Sequence, residues 1–323
     1  MKTILLIHTG GTISMQMQAE TGAVVPTDSN PLTIEAGKLM EYATIIEKEA
    51  FNLPSPHITP KEMLILKEII EQTMSEQHID GVVITHGTDT LEETAYFLDL
   101  TVDTAIPIVL TGAMRSSNEV GSDGLYNLLS AVKVAIADDA KGKGVIVVLN
   151  DEIHTAVNVT KTHSSNVSTF QSPQYGPIGF ISKSVVHFHH APIKRAIFPI
   201  STVEKNVALF KVYAGMDPDL LKATVHLGYD GIVLEGLGQG NVPPSLVSTI
   251  EEILQKEIPI VLVSRCFNGI AQDVYGYVGG GKGLKQAGVI FAHGLNGQKA
   301  RLALLIALNH QEQTEAMDQI FSI

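Results

Sequence analysis

The feature that most constrains the fold of this 323-residue chain is a regular alternation of short apolar runs with longer amphipathic segments. The short runs are continuous stretches of Val, Ile and Leu, which is typical of strands buried on both faces of a parallel sheet. They lie at Lys2–His8, Gly81–Thr85, Ile106–Thr111 and Gly144–Leu149. The longer segments Pro60–Gln77 and Leu125–Ala137 have the apolar spacing of helices. This alternation predicts an α/β fold with helices on both faces of a parallel sheet.

The alternation pauses once and then restarts, which divides the chain into two parts. The pause lies between about His187 and Lys205, and strand and helix patterns follow it, such as Val207–Tyr213 and Pro244–Gln255. A typical domain has roughly 150 residues, so the chain length also fits two domains. We therefore predict three parts: a large N-terminal parallel-sheet domain at 1–190, a linker at 191–206, and a smaller Rossmann-like α/β domain at 207–323.

Composition excludes several classes of partner. The 22 Lys and Arg residues against 34 Asp and Glu residues give a formal net charge of −12, and the sequence has no basic run. Nucleic acids and anionic membrane surfaces need clustered positive charge, so we predict neither as a partner. No stretch approaches the roughly 18 apolar residues of a membrane span, and the start of the chain lacks a signal-peptide pattern. With a single cysteine, Cys266, these features predict a cytoplasmic protein.

Four polar segments carry the candidate chemistry of the chain. Ligands of open parallel sheets bind beyond the carboxyl ends of the strands, so polar residues directly after a strand are the first candidates. These segments are Thr9–Ser14, Thr85–Glu93, Thr111–Asn118 and Val159–Asn166.

Each segment also has an ordinary structural interpretation. The paired glycines before Thr12 let a backbone approach a ligand, yet they also suit a simple turn between a strand and a helix. Asp89 would serve as a helix N-cap, and Glu92 suits the first turn of that helix, although neither role explains the neighbouring threonines. Arg115 could hold an anionic substrate or support its own loop through an ion pair. Lys161 would usually be a solvated surface charge, and only reactive neighbours would make it a base.

Three histidines lie close together in the sequence, at His187, His189 and His190. No Asp, Glu or Cys nearby completes a metal-binding set with them, and the first two alternate as neighbours on a strand do. We therefore predict a solvated strand end there and no metal site.

Together, in order along the chain, the polar segments resemble those of the bacterial-type L-asparaginases. Gly10–Ile13 and Thr85–Thr90 match the two signatures of that family. The later matching segments are Glu92–Val102, Gly112–Arg115, Val159–Thr162, Tyr175–Pro177, Gly240–Asn241 and Gly297–Arg301. The resemblance implies an amidohydrolase that converts L-asparagine to L-aspartate and ammonia without a cofactor. It also implies that the N-terminal domain is catalytic, and that the chain forms a homodimer or homotetramer with active sites at subunit interfaces.

The resemblance assigns catalytic roles to residues of three separate segments. Thr12 resembles the nucleophile that attacks the amide carbon and forms an acyl-enzyme. Thr88 and Lys161, with Asp89, resemble a second catalytic group, which relays protons and activates either a nucleophile or the deacylating water. Backbone amides of the glycine turn, at Gly11, would stabilise the oxyanion of the tetrahedral intermediate.

The resemblance also assigns residues to the binding of the substrate. Asp89 would bind the α-ammonium of asparagine, and Ser55 falls where the family holds the α-carboxylate. Asn241 falls where an asparagine of a neighbouring subunit supports the amino-group site. Asp273 is the only acidic residue in the segment 264–283, where the family places an acid that reaches a neighbour's site.

The chain departs from the family in the loop after the first threonine. The family usually has a tyrosine there that assists the nucleophile, whereas this chain has no tyrosine between residues 13 and 41 and has Ala23 and Val24 at about that place. We expect that Tyr42 or a residue elsewhere replaces the missing side chain, or that Thr12 works by another route.

A second departure concerns the substrate. Ser55 is followed by Pro56, where glutaminase-competent relatives often have a glutamine. Loss of that hydrogen-bond donor should weaken the binding of the longer substrate, so we expect weak or no activity on L-glutamine.

Two other functions are compatible with the same motifs. The amidase subunit of a tRNA-dependent amidotransferase has these signatures, but it usually carries an extra N-terminal domain, and here Gly10–Thr12 lies at the start of the chain. A non-catalytic sensor of asparagine or aspartate would keep the pocket without turnover, and the missing loop tyrosine is compatible with it. The joint presence of Thr12, Thr88, Asp89 and Lys161 favours the enzyme.

Overall fold

The computed structural model describes residues 1–18, 20–26, 36–183, 185–192 and 196–321. The chain forms two compact units, Met1–Arg195 and Ala196–Ile323, and each contains its own parallel-rich sheet. The predicted fold class, a large and a smaller α/β domain, is confirmed. The domain limits predicted above stay a prediction, and part of the predicted linker, residues 193–195, lies outside the described residues. None of the helices in the described ranges has the length and apolar character that crossing a membrane requires.

The elements of the first unit alternate much as the apolar pattern predicts. Its strands are β1 (Thr3–His8), β2 (Met15–Met17), β3 (Val24–Pro26), β4 (Thr44–Glu49), β5 (Gly81–Thr85), β6 (Ile108–Thr111), β7 (Val145–Leu149), β8 (Glu152–Thr155), β9 (Thr160–Lys161), β10 (Phe170–Gln171), β11 (Gly179–Ser182) and β12 (Val185–Phe188). Its helices are α1 (Ala36–Leu39), α2 (Pro60–Glu76), α3 (Leu91–Thr101) and α4 (Gly124–Ala135). Short 3₁₀ turns lie at Thr12–Ser14, Ser55–His57 and Asp138–Ala140.

The main sheet has the strand order β12-β11-β8-β7-β6-β5-β1-β4. Strands β4, β1, β5, β6 and β7 are parallel, as predicted, but β8, β11 and β12 pair antiparallel at one edge. The prediction of a parallel sheet missed this edge. Its physical origin is the tight turn at Asn150 and Asp151, which have φ of 50° and 65° and join β7 directly to β8. Asn and Asp tolerate this left-handed conformation better than other side chains.

Alternating residues of β1 explain why the apolar runs are continuous. Ile4 and Leu6 belong to a buried cluster with Leu128 of α4, which packs against β5, β6 and β7. Leu5 and Ile7 point to the opposite face and are also fully buried. Helix α3 contacts β6 and β7 as well. The sheet is therefore covered on both faces.

Helix α2 begins where its sequence predicts. Thr59 is the N-cap, Pro60 is the first helical residue, and Thr59 and Glu62 form a reciprocal capping box. The helix ends at Glu76, one residue before the predicted limit.

The second unit has a smaller parallel sheet in the order β13-β14-β15-β16. Its strands are β13 (Val207–Lys211), β14 (Gly231–Gly236), β15 (Ile260–Ser264) and β16 (Ile290–Phe291). Its helices are α5 (Asp219–His226), α6 (Val247–Leu254), α7 (Gly281–Ala287), α8 (Gly297–Asn309) and α9 (Gln313–Phe321). The predicted helix at Pro244–Gln255 begins as a 3₁₀ turn, Pro244–Leu246, and then becomes α6.

The carboxyl ends of β1 and β5 bring two of the polar segments side by side. The two strands are parallel neighbours, with His8 opposite Thr85. Beyond them, Thr9 donates its N–H and its hydroxyl to the carbonyl of Thr85, at 3.1 and 2.9 Å. The loops that follow β1 and β5 therefore leave the sheet together.

Candidate active site

The loop after β1 places Thr12 beside the loop after β5. Gly10 and Gly11 have φ of +96° and +83°, a region that L side chains rarely adopt. A Cβ atom on Gly11 would lie 2.3 Å from the Cα of Gly87, so the two loops touch without space for a side chain. Thr12 follows this contact directly, is half-buried and opens the first 3₁₀ turn. The paired glycines thus bring Thr12 next to the second polar segment.

His86 holds the loop after β5 in place. Its ring is fully buried, its Nδ1 lies 2.7 Å from the carbonyl of Gly87, and its Nε2 lies 2.9 Å from the hydroxyl of Thr94 on α3. Burial lowers the pKa of His86 to about 4, although the hydrogen bond to Gly87 acts in the opposite direction. The ring is therefore neutral near pH 7, with Nδ1–H as donor to Gly87 and Nε2 as acceptor from Thr94.

This buried histidine predicts a loss of stability in mild acid. In the unfolded chain His86 regains its ordinary pKa of 6.5, so the unfolded state binds more protons than the folded state between pH 6.5 and about 4. The contribution of the neutral His86 ring to the free energy of unfolding is complete above pH 6.5 and is lost as the pH falls toward 4. We expect the free energy of unfolding to decrease by about 2 kcal/mol between pH 7.5 and pH 5 from this group.

Chemical denaturation of the parent and of His86→Gln at both pH values measures this contribution. The difference in unfolding free energy between parent and variant should shrink by that amount at the lower pH, because the glutamine does not titrate. A difference that is the same at both pH values would contradict the role of His86.

Lys161 meets Thr88 and Asp89 at the same edge of the sheet. Its Nζ donates to Oγ1 of Thr88 at 2.9 Å and to Oδ1 of Asp89 at 2.6 Å. The side chain of Lys161 is 14% exposed and that of Asp89 is 61% exposed, while Thr88 is buried. The interpretation of Lys161 as a solvated surface charge is therefore wrong. The structure brings these three side chains together from two distant segments, and their catalytic roles stay a prediction.

Asp89 is not the N-cap of α3, contrary to the structural interpretation of its position. The N-cap is Thr90, without a capping hydrogen bond from its side chain. The carboxylate of Asp89 pairs with Lys161 instead, since an ammonium group is a stronger partner for it than a neutral backbone N–H.

Ser55 packs against the same loop. It is buried, and its hydroxyl oxygen accepts from the N–H of Asp89 at 3.1 Å, while its carbonyl accepts from the Thr90 hydroxyl at 2.8 Å. A Cβ atom on Gly87 would lie 2.8 Å from the Ser55 Cβ, so the contact is close. Because the Ser55 oxygen acts as an acceptor here, its own hydroxyl hydrogen can be donated to a ligand.

Glu92 is a site residue that the sequence pattern did not single out. It is buried in the first turn of α3, and its Oε1 accepts from the Thr160 hydroxyl at 3.0 Å and from the Lys161 N–H at 3.2 Å. The sequence signal was limited to one of two adjacent acidic residues, Glu92 and Glu93, in the first turn of the helix, which the helix dipole already explained.

Arg115 supports its own loop, but through a different contact from the expected ion pair. Its guanidinium donates to the carbonyl of Gly121 at 2.8 Å. The backbone N–H groups of Met114 and Arg115 donate to the carboxylate of Asp123, at 3.0 to 3.2 Å. These bonds fix the loop after β6 next to the start of α4.

Asn241 and Asp273 belong to the second unit. The backbone carbonyl of Asn241 accepts from Leu237 at 2.8 Å, and its side-chain Oδ1 accepts from the Gly281 N–H at 3.3 Å. Asp273 is exposed. Their expected roles at the site of a neighbouring subunit stay predictions.

Tyr42 does not replace the missing loop tyrosine within this chain. It lies two residues before β4, which runs parallel to β1, so it lies at the amino edge of the sheet, whereas Thr12 follows the carboxyl edge. The Tyr42 ring lies 5.4 Å from Nζ of Lys133. Val24, near the expected place of the tyrosine, begins β3, and residues 27–35 of this segment lie outside the described residues.

No set of three or more His, Cys, Asp and Glu side chains in the described part of the chain could hold a metal ion. His187 is exposed on β12 and its ring stacks on Phe180, with 5.0 Å between the ring centroids. This agrees with the predicted strand end.

Comparison with known proteins extends these observations to the whole chain. Residues 3–194 match the asparaginase N-terminal domain, and residues 206–321 match the glutaminase/asparaginase C-terminal domain. The chain is 41% identical over 323 residues to a probable L-asparaginase of Deinococcus radiodurans, covering 99% of this chain and 97% of the relative. It is 38% identical over 307 residues to an L-asparaginase of Bacillus licheniformis, covering 95% of each chain. The crystal structure of a probable cytoplasmic L-asparaginase from Campylobacter jejuni matches with a TM-score of 0.89 and 34% identity, covering 100% of this chain and 99% of that one.

These matches define the class of protein as an amidohydrolase. The chain belongs to the asparaginase family, as its motifs predicted, because the matches span nearly all of its length. Both the predicted family and the predicted enzyme class are confirmed.

Proposed function

We propose that this chain hydrolyses L-asparagine to L-aspartate and ammonia through an acyl-enzyme on Thr12. The observation that carries the proposal is the Lys161 amine, 2.9 Å from the Thr88 hydroxyl and paired with Asp89, beside the loop that holds Thr12. The relatives from D. radiodurans and B. licheniformis, named as a probable L-asparaginase and an L-asparaginase, support the same substrate.

The cluster supplies complementary groups for the zwitterionic end of asparagine. The exposed Asp89 carboxylate offers a partner for the α-ammonium, and the Ser55 hydroxyl can donate to the α-carboxylate. Opposing contacts of this kind fix both the position and the orientation of a small substrate. Its side-chain amide would then extend toward Thr12.

In the first half-reaction, Oγ of Thr12 attacks the amide carbon of the substrate. The C–N bond breaks, an ester forms on Thr12, and one proton moves in total from the Thr12 hydroxyl to the leaving nitrogen, which departs as ammonia. The paired Thr88 and Lys161 can relay this proton, since their polar atoms are already hydrogen-bonded. The backbone N–H of Gly11 would stabilise the oxyanion of the tetrahedral intermediate.

In the second half-reaction, a water molecule attacks the ester carbon. The Thr12 ester bond breaks, one proton moves from the water to Oγ of Thr12, and aspartate leaves. The same Thr88 and Lys161 pair can accept and return this proton, so each cycle restores the starting protonation state of the protein.

Ammonia release by the purified chain tests the proposed function. We expect one ammonia and one L-aspartate for each L-asparagine consumed, measured beside D-asparagine and L-glutamine. Calorimetric binding of L-asparagine or L-aspartate without any ammonia release would instead establish a non-catalytic sensor and would overturn the proposal.

We also propose that L-glutamine is a poor substrate. Proline at position 56 has neither a backbone N–H nor a side-chain donor, and it lies in the second 3₁₀ turn directly after Ser55. One hydrogen bond contributes about 1 kcal/mol, so we expect the ratio of kcat/KM for L-glutamine to that for L-asparagine to rise about fivefold in Pro56→Gln.

Pro56→Ala is the matched control for this substitution, because it relaxes the same turn without adding a side-chain donor. It should leave the substrate ratio near that of the parent. Equal turnover of L-glutamine and L-asparagine by the parent, or an equal rise in both variants, would show that position 56 does not set the preference.

We further propose that the enzyme acts in the cytoplasm as a homodimer or homotetramer, without a cofactor, a nucleic acid or a membrane as partner. Asn241 and Asp273 would be contributed to the site of a neighbouring subunit. The net charge of −12 and the single cysteine support the location and the excluded partners.

A further inference from the structure

We propose that Glu92 is a positioning residue, which holds the backbone of Lys161 so that the lysine amine meets Thr88. This inference rests on the proposed function, because it assumes that the amine of Lys161 takes part in proton transfer. Glu92 binds the Thr160 hydroxyl and the backbone N–H of Lys161, so it acts through the strand that carries the lysine.

The strand that carries Lys161 has little support of its own. Strand β9 consists of Thr160 and Lys161 alone, and it pairs with the two residues of β10 outside the main sheet. A two-stranded ribbon is marginally stable in isolation, so its position depends on contacts to a more rigid element.

Glu92 supplies such a contact from a rigid helix. Its Oε1 accepts from the Thr160 hydroxyl at 3.0 Å and from the Lys161 N–H at 3.2 Å, so one buried oxygen binds both residues of β9. Helix α3 is anchored by fully buried side chains, including Phe97 and Leu98, and it contacts β6 and β7. The carboxylate therefore connects the weak ribbon to the main sheet through α3.

The same helix start also carries the partners of the lysine amine. Thr88 and Asp89 lie immediately before α3, and the Thr90 hydroxyl ties this start to the carbonyl of Ser55. Glu92 follows Thr88 by four residues, so both ends of the contact between Lys161 and Thr88 are fixed to the first turn of α3 and the loop directly before it. A shift of about 1 Å between a proton donor and its acceptor is enough to lower a rate substantially.

Glu92 could instead serve only the helix dipole, and a set of variants separates the two roles. Glu92→Gln keeps an oxygen acceptor at the same place and removes the charge, whereas Glu92→Ala removes both. Glu93→Ala is the matched control, because Glu93 is the second acidic residue of the same first turn. Thr160→Val removes one of the two donors to Glu92 and leaves the carboxylate unchanged.

The first readout is the kinetics of ammonia release from L-asparagine. We expect kcat to fall between about tenfold and 100-fold in Glu92→Ala with KM changed by less than about threefold, because the lysine amine is displaced but not removed, so Asp89 keeps a cationic neighbour. The kcat of Glu92→Gln and of Glu93→Ala should stay within about threefold of the parental value. The kcat of Thr160→Val should lie between that of the parent and that of Glu92→Ala.

The second readout does not depend on activity. Hydrogen exchange of the Lys161 amide should be at least about tenfold faster in Glu92→Ala than in the parent, and close to the parent in Glu92→Gln. If the parent releases no ammonia, the proposed function fails, while the exchange rates still decide whether Glu92 holds the ribbon. If Glu92→Ala does not fold, the kcat and the Lys161 amide exchange of Glu92→Gln and Thr160→Val are compared with those of the parent instead.

Three results would overturn the inference. The first is that Glu92→Ala has the same kcat as the parent and the same rate of hydrogen exchange at the Lys161 amide. The second is an equal loss of kcat in Glu92→Ala and Glu93→Ala, which would indicate the helix dipole. The third is an equal loss in Glu92→Gln and Glu92→Ala, which would show that the charge matters and the hydrogen bonds do not.

Discussion

Thr12→Ala is expected to lower kcat for L-asparagine hydrolysis by about 10⁴-fold or more, because the methyl group cannot form the ester. The variant should fold normally, since Thr12 is half-buried and stands at the start of a short turn rather than in the core. L-Aspartate should still bind, because Ser55 and Asp89 are untouched. Initial rates of ammonia release, with calorimetry for aspartate binding, measure both effects.

Thr12→Ser is the matched control for this substitution. It keeps a hydroxyl at the same place and removes only a methyl group, so it should retain activity far above that of Thr12→Ala. Ammonia release by Thr12→Ala at a rate near that of the parent would exclude Thr12 as the nucleophile.

Lys161→Met is expected to lower kcat by about 10³-fold, the usual scale for loss of a proton-transfer group. Methionine keeps most of the apolar stem but removes the Nζ atom that binds Thr88 at 2.9 Å and Asp89 at 2.6 Å. The same assay measures the loss, and KM is expected to rise as well because Asp89 loses the contact that orients it.

Lys141→Met controls for the change of charge. Lys141 is 51% exposed and its ion pair with Asp138 lies away from the cluster, at a 3₁₀ turn beyond α4. We expect parental kinetics for this variant. Near-parental kcat in Lys161→Met would remove the lysine from the mechanism.

The sequence predicts most of the fold because burial leaves a direct signal in it. Strands covered on both faces become continuous apolar runs, and β1, β5, β6 and β7 were found from such runs to within two residues. The antiparallel edge was missed because β11 and β12 are half-exposed and short. The adjacent residues Asn150 and Asp151 were a usable sequence signal for the hairpin that starts this edge, because Asn and Asp tolerate the left-handed conformation of its turn.

The site is less predictable than the fold because its contacts join distant segments. Asp89 has the local pattern of an N-cap, and no local pattern indicates that a lysine 72 residues away takes its carboxylate. Glu92 was missed for the same reason, since its partners Thr160 and Lys161 are brought to it by tertiary structure. Resemblance to a family could indicate Thr88 and Lys161 as partners, whereas residue types and spacing alone left Lys161 as a surface charge.

The position of the covalent intermediate tests the central claim most directly. The parent is quenched rapidly in acid during turnover of L-asparagine, and peptide mapping then locates any aspartyl ester. A parallel sample contains hydroxylamine, which detects transfer of the aspartyl group from the ester to hydroxylamine. We predict an aspartyl group on the peptide that contains Thr12, or its capture as the hydroxamate, and neither in Thr12→Ala. An ester on Thr88 or another residue, or ammonia release with no ester and no hydroxamate, would contradict the account.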